Sequence, residues 1–352
     1  MEKKRLFNPS GDDSLQQRKL IGGNATGIVN LNNVKFKWAN QIYRTMMDNF
    51  WIPEKSDMTQ DANDYRKLTE AERKAFTGII SFLVFLDSLQ TANVPNIAEY
   101  ITASEVNLVL AVQTFQEALH AQSYQYIIES VIPADARNEV YDYWRKDPTL
   151  FHRNKFIADV YQRFIDEPNE GTFIRVCVAN YLLEGLYFYN GFNFFYNLAS
   201  RHLMNGTSDV IRYINRDEMT HVVLFQHVLS ELWRTPADGQ PRMTDAFIDE
   251  VHEMFRQAVT EEITWTNHII GNGILGINED STDRYTKWLA NKLLREIGLP
   301  HLYEDPRYLK NPYSHLERIA DTGGDGSVKA NFFESTVTSY NQSSAVKGWD
   351  DF

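Results

Sequence analysis

An all-α protein is expected from this sequence. Apolar residues return at intervals of three and four through most of its 352 residues, few stretches alternate with period two, and two long segments are apolar on nearly every side. A helix that is apolar all round belongs at the centre of a bundle.

Taken in order, residues 1–33 are polar and glycine-bearing without an apolar period, and read as an arm that packs on the rest of the chain or is mobile. From Phe36 to Phe50 the spacing is helical, and Trp51-Ile52-Pro53 ends it because proline disfavours helix in the residue before it. Thr69-Glu70-Ala71-Glu72 resembles a capping start, after which Phe76 to Ala92 is almost continuously apolar, interrupted by Asp87. Glu105 to Ser130 is the next long helix, stopped by Pro133. Val140 to Trp144 and Leu150 to Phe164 give shorter helices before a break around Pro168 and Gly171. Phe173 to Ala199 is again apolar nearly all round, interrupted by Glu184. Ser208 to Trp233, Met243 to Asn267 and Asp283 to Ile297 complete the helices of a domain placed over residues 34–320. Residues 321–352 are rich in Gly, Ser, Thr and Asn and read as a flexible tail.

A hydrophobic content of 43% with 13% aromatics is enough for a large core. The net charge of −12 leaves no basic face to neutralise phosphates, so no nucleic-acid partner is expected. Cys177 is the single cysteine, which rules out an intrachain disulfide or a zinc ribbon and fits a reducing, cytoplasmic setting. No apolar run follows the charged start, and nowhere do eighteen apolar residues run unbroken, so neither a signal peptide nor a membrane span is expected. No glycine-rich phosphate loop is present.

The chemistry is concentrated in two repeats of one pattern. Glu117 and His120 are three apart, one turn along the same helix face, and the spacing returns at Glu218 and His221. Each pair is preceded by a carboxylate in an apolar helix, Asp87 thirty residues before Glu117 and Glu184 thirty-four before Glu218. An unpaired charge there would cost several kcal/mol or lose its ionisation. Four carboxylates and two imidazoles converging in a bundle would balance two divalent cations. Mostly oxygen donors with one nitrogen per ion suit iron or manganese over zinc. Ferritin-like di-iron and di-manganese carboxylate proteins are built this way, which makes the expected fold a ferritin-like helical bundle with additional helices. Asp249 and His252 have the same spacing but on an ordinary amphipathic helix, and are set aside. Tyr124 lies one turn beyond His120 on the ligand face. Phe188 and Phe192 lie one and two turns beyond Glu184, and Ile214 one turn before Glu218.

At these residues, and from about Trp38 to the C-terminus, the chain resembles the radical-generating small subunits of class I ribonucleotide reductases. The resemblance implies that Asp87, Glu117 and His120 hold one metal ion, and Glu184, Glu218 and His221 the other, with iron first and manganese as the alternative. It implies that Tyr124 is the radical tyrosine, that Phe188, Phe192 and Ile214 wall it in hydrocarbon, and that Asp217 links the ring of His120 to the indole of Trp51 in a relay. In the tail, Tyr340 matches a tyrosine that passes the radical between subunits, and Trp349, Asp350, Asp351 and Phe352 match an anchor on the large catalytic subunit. A homodimer is implied as well. Asp87 and Tyr124 follow the tyrosyl-radical members and depart from the manganese-iron relatives that lack this tyrosine, although some members that keep it store the oxidant on two manganese ions. Within the same fold, a di-iron oxygenase or desaturase would need a substrate cavity where Phe188 and Phe192 stand, and a ferritin-like iron store needs only about half this length.

Overall fold

The computed structural model describes residues 1–235 and 243–320. Among them the only β pairing is two isolated bridges, Ile21 with Ile101 and Ile274 with Ile277, and everything else that repeats is helix. In chain order these are α1 (Lys37–Asp48), α2 (Asp61–Lys67), α3 (Glu70–Ala98), α4 (Ser104–Val131), α5 (Arg137–Lys146), α6 (Pro148–Asp166) and α7 (Glu170–Leu182). They continue with α8 (Tyr189–Ser200), α9 (Asn205–Arg234), α10 (Asp245–Ile269), α11 (Glu279–Glu296) and the short α12 (Glu317–Ala320).

Thr69 starts α3 as a full capping box. Its hydroxyl accepts from the Glu72 amide at 3.2 Å, and the Glu72 carboxylate accepts from the Thr69 amide at 2.8 Å. The helix is long and apolar enough to cross a membrane, but α4 and α5 pack along it and Phe76, Phe82, Leu83 and Leu86 are buried there. It also runs through Pro95, beyond the end of the expected apolar run. Helices α4 and α7 pack against it and α9 packs on both of these, so that α3, α4 and α9 each turn one face toward the same interior.

The segment expected as one helix from Phe173 to Ala199 is divided. Helix α7 ends at Leu182, a π turn covers Leu183–Tyr187, and α8 follows. Such a turn inserts one residue into the helical ladder and is often found at functional sites. Gly185 sits within it because α11 comes close: a Cβ there would lie 2.7 Å from Leu293 Cδ2.

The arm is docked. Arg18 and Glu105 form an ion pair, 3.2 Å apart, with both side chains almost wholly buried, and Glu105 also accepts the amides of Lys35 at 3.0 Å and Phe36 at 3.2 Å. The Lys4 amide donates to the Glu99 carbonyl at 2.8 Å, and the Thr102 amide to that of Leu20 at 2.8 Å, which lays the arm across the α3–α4 connection. Removing the carboxylate would strand a buried guanidinium. Glu105→Ala is therefore expected to cost about 3–5 kcal/mol in denaturant unfolding and to expose residues 1–33 to limited proteolysis. An arm as protease-resistant as in the parent would contradict this docking.

Candidate metal centre

Six side chains from α3, α4, the π turn and α9 meet in the interior. Asp87, Glu117, His120 and Glu218 form one group whose ligand-capable atoms all lie within 4.8 Å of one another, and Glu117, Glu184, Glu218 and His221 form a second. Glu117 and Glu218 belong to both. The pattern of spacing could not reveal this sharing, which joins the two groups into one cluster able to hold two ions.

Toward this interior, His120 Nδ1 is 3.0 Å from Glu218 Oε1, 3.7 Å from Asp87 Oδ2 and 3.8 Å from Glu117 Oε2. His221 Nδ1 is 2.9 Å from Glu218 Oε2, 3.2 Å from Glu117 Oε1 and 3.7 Å from Glu184 Oε2. All six side chains are fully buried. Despite these approaches, both oxygens of Asp87, together with Glu117 Oε2, Glu184 Oε2, Glu218 Oε1 and His120 Nδ1, have no well-aligned hydrogen-bond partner. Buried polar atoms are almost always satisfied, so an inward ring of unsatisfied oxygens and imidazole nitrogen fits a pair of cations. The donor set, oxygen-rich with one imidazole per group and no thiolate, fits iron or manganese.

Burial, then the neighbouring carboxylates, pushes the Asp87 and Glu184 carboxyls well above their usual range. For His120 and His221 burial acts to lower basicity, but the facing carboxylates, Glu218 for the first and Glu117 for the second, more than reverse it. Glu218 alone is held low: burial acts against it, but both imidazoles and the Glu184 carboxyl outweigh that.

The outward nitrogens of the two histidines are held differently. His120 Nε2 is 3.3 Å from Asp217 Oδ2, and that same oxygen accepts from the Trp51 indole at 2.8 Å. His221 Nε2 is 3.0 Å from the side-chain carbonyl of Gln116. In each case the outer contact leaves Nδ1 facing the interior. The Trp51 ring also stacks on Tyr213 at 5.2 Å, with the Arg216 guanidinium 5.3 Å from the far ring and 3.7 Å from Asp217 Oδ1.

Sequence reasoning missed the amides around Glu184. Its Oε1 accepts from Gln113 Nε2 at 2.8 Å, from Asn180 Nδ2 at 3.3 Å and from Gln90 Nε2. Gln90 is in turn oriented by the Tyr161 hydroxyl, which donates to its carbonyl at 2.7 Å. Gln90 stands three residues beyond Asp87, Gln113 four before Glu117 and Asn180 four before Glu184, so each shares a helix face with a carboxylate, a signal present in the sequence but weak alone. Gln116, beside Glu117 in sequence, carried no such signal.

Tyr124 is completely buried; burial and then the Asp87 carboxylate beside it push its phenol well above the usual range. Phe188, Phe192 and Ile214 are equally buried, with the two phenyl rings 5.9 Å apart. The pair set aside from the sequence stays apart from the centre: His252 Nε2 contacts the Pro300 carbonyl at 3.0 Å. Tyr340, Trp349, Asp350, Asp351 and Phe352 lie outside the described residues.

Residues 28–312 match the family described as ribonucleotide reductase, small chain. The chain belongs to that family. It is 41% identical over 347 residues to the ribonucleoside-diphosphate reductase subunit beta of Treponema pallidum, covering 98% of this chain and 97% of that one. It superposes on the ribonucleotide reductase R2 subunit from Clostridium botulinum with a TM-score of 0.87 at 45% identity, over 91% of this chain and 99% of the other. A class I ribonucleotide reductase structure from Bacillus halodurans, described as putative, gives 0.82 at 37% identity, over 89% and 97%. Ribonucleotide reductase small chains are thus its relatives along nearly the whole length, and the buried carboxylate and histidine cluster lies inside the matched region.

In this small chain without metal, Asp87, Glu184, His120 and His221 all hold protons more tightly than when unfolded. Groups raised in the folded state stabilise it at low pH and lose that contribution as pH rises through their folded values. Glu218 has the opposite sign, but its transition is finished below its ordinary value of 4.5. The melting temperature of the metal-free protein should therefore fall from about pH 6 to about pH 8. A constant or rising value would show that the cluster does not dominate this window.

Proposed function

We propose that this ribonucleotide reductase small chain makes and stores a one-electron oxidant in its interior and exports it to a large catalytic subunit that reduces ribonucleotides. The observation that carries this reading is the pair of interlocked carboxylate and histidine groups sharing Glu117 and Glu218, with the buried Tyr124 phenol acted on by Asp87. Asp87, Glu117 and His120 would hold one ion and Glu184, Glu218 and His221 the other, with iron proposed first and manganese as the alternative. When bound, the two ions would supply the electrons that reduce O₂ or a related oxidant.

Protein side chains manage the electron and the proton. Tyr124 gives up one electron and its hydroxyl proton, and Asp87 is the carboxylate placed to take that proton. Phe188, Phe192 and Ile214, all in the closed core, keep water and reductants from the resulting neutral phenoxyl. Trp51 can pass an electron inward while its N–H proton shifts along the 2.8 Å hydrogen bond to Asp217 Oδ2, so charge and proton leave together. Tyr340 is proposed to continue the transfer and Trp349, Asp350, Asp351 and Phe352 to dock on the large subunit, on the family resemblance and the aromatic-acidic composition of that end. We assign a homodimer to the apolar groove of about 410 Å³ between α1 and α4, where Met47, Phe50 and Phe115 are at least half exposed.

Tyr124→Phe removes only the hydroxyl and keeps the ring, so metal uptake and fold should persist while any tyrosyl signal in electron paramagnetic resonance disappears. If signal and full activity with the large subunit both survive, the oxidant sits elsewhere, and elemental analysis showing two manganese ions would favour storage on the metals. Tyr340→Phe should bind the large subunit as the parent does, because the ring remains, yet fail to support ribonucleotide reduction. Wild-type turnover in that variant would remove the export step from the mechanism.

A further inference from the structure

Beyond the metal cluster the largest buried charge is Arg153 on α6, which is wholly inaccessible and lies beside the π turn. Its Nε donates to Glu262 Oε2 at 2.7 Å, and its Nη2 is 2.6 Å from that oxygen. The guanidinium is sandwiched between the rings of Phe82 at 4.4 Å and Tyr187 at 4.3 Å. Glu262 Oε1 accepts from Asn190 at 3.0 Å, and Asn190 also donates to Thr286 at 2.9 Å, so α6, α8, α10 and α11 meet at one polar point. A buried ion pair rarely improves stability over well-packed apolar side chains, which leaves its purpose open.

One contact explains it. Nη2 donates to the backbone carbonyl of Tyr187 at 2.7 Å, and Tyr187 is the last residue of the π turn that carries Glu184. We propose that Arg153, braced by Glu262, is a positioning residue for the Glu184 half of the metal centre, holding the π turn in the register that points Glu184 Oε2 at His221. If the turn relaxed to α-helix, one residue would leave the ladder and the side chains after it would rotate by about 100° relative to those before it. Glu184 could not then meet Gln90, Gln113 and Asn180 on one side and His221, 3.7 Å away, on the other. Asp87 and His120 are carried by α3 and α4 and not by the turn. The loss should therefore fall on one subsite.

The inference rests on the proposed metal centre, so its test begins with the parent. Metal-free full-length protein is titrated with Mn²⁺ while free Mn²⁺ is monitored by electron paramagnetic resonance, and the parent should take two ions. Arg153→Met combined with Glu262→Met removes both charges without stranding either, and Arg153→Lys keeps the charge but not the planar fork that spans carboxylate and carbonyl. With folding checked by circular dichroism, both variants should bind the first ion as the parent does and the second at least about tenfold more weakly, the scale expected when support behind a ligand is lost. Arg153→Lys retains the ion pair and keeps the test decisive if the double variant fails to fold. Two ions bound with parental affinity in a folded variant, or both weakened alike, would overturn the positioning role. A parent that takes up no Mn²⁺ would overturn the metal centre itself, and this inference with it.

Discussion

Four carboxylates, Asp87, Glu117, Glu184 and Glu218, are completely buried side by side, and much of the fold answers to that constraint. Burying one ionised carboxylate without a partner costs several kcal/mol, and four together repel one another besides. Two imidazoles, drawn toward their charged forms by these same neighbours, cancel only part of the excess. Divalent cations would cancel the rest.

The surrounding polar groups are sorted by side. On the inner face the oxygens are left open, whereas Oε1 of Glu184 is filled by three amide donors so that Oε2 is the oxygen presented to the centre. Amides suit this task because they donate without adding charge to a crowded anionic site. Tyr161 completes the arrangement by fixing which end of the Gln90 amide faces Glu184.

The convergence of the six side chains was legible because a three-residue spacing on a helix needs no tertiary information, and a carboxylate in an apolar helix marks itself. The π turn was not legible for the opposite reason. From Val176 to Leu198 every residue is buried, so inserting one residue breaks no alternation of buried and exposed positions. Only Gly185 hinted at it, and a glycine inside a helix has several explanations. The docking of the arm depends on Arg18 meeting Glu105, eighty-seven residues away, which periodicity cannot report. Gln116 faces His221 across a helix interface and was invisible for the same reason.

The two histidines, alike in sequence, differ in what stands behind them, and that difference gives the site a direction. Behind His221 is the neutral carbonyl of Gln116, which can fix the ring but cannot take a proton at accessible pH. Behind His120 is the side chain of Asp217, whose single oxygen Oδ2 serves both that imidazole and the Trp51 indole. A positive charge appearing at Trp51 or His120 would be stabilised by Asp217, while one at His221 would meet only an amide dipole. Tyr124 lies one turn from His120 on the same helix, α4. On the proposed reading, oxidant leaves toward Trp51 because that is the side on which the protein can compensate a moving charge, and Glu184 with its amide donors marks the side on which it does not.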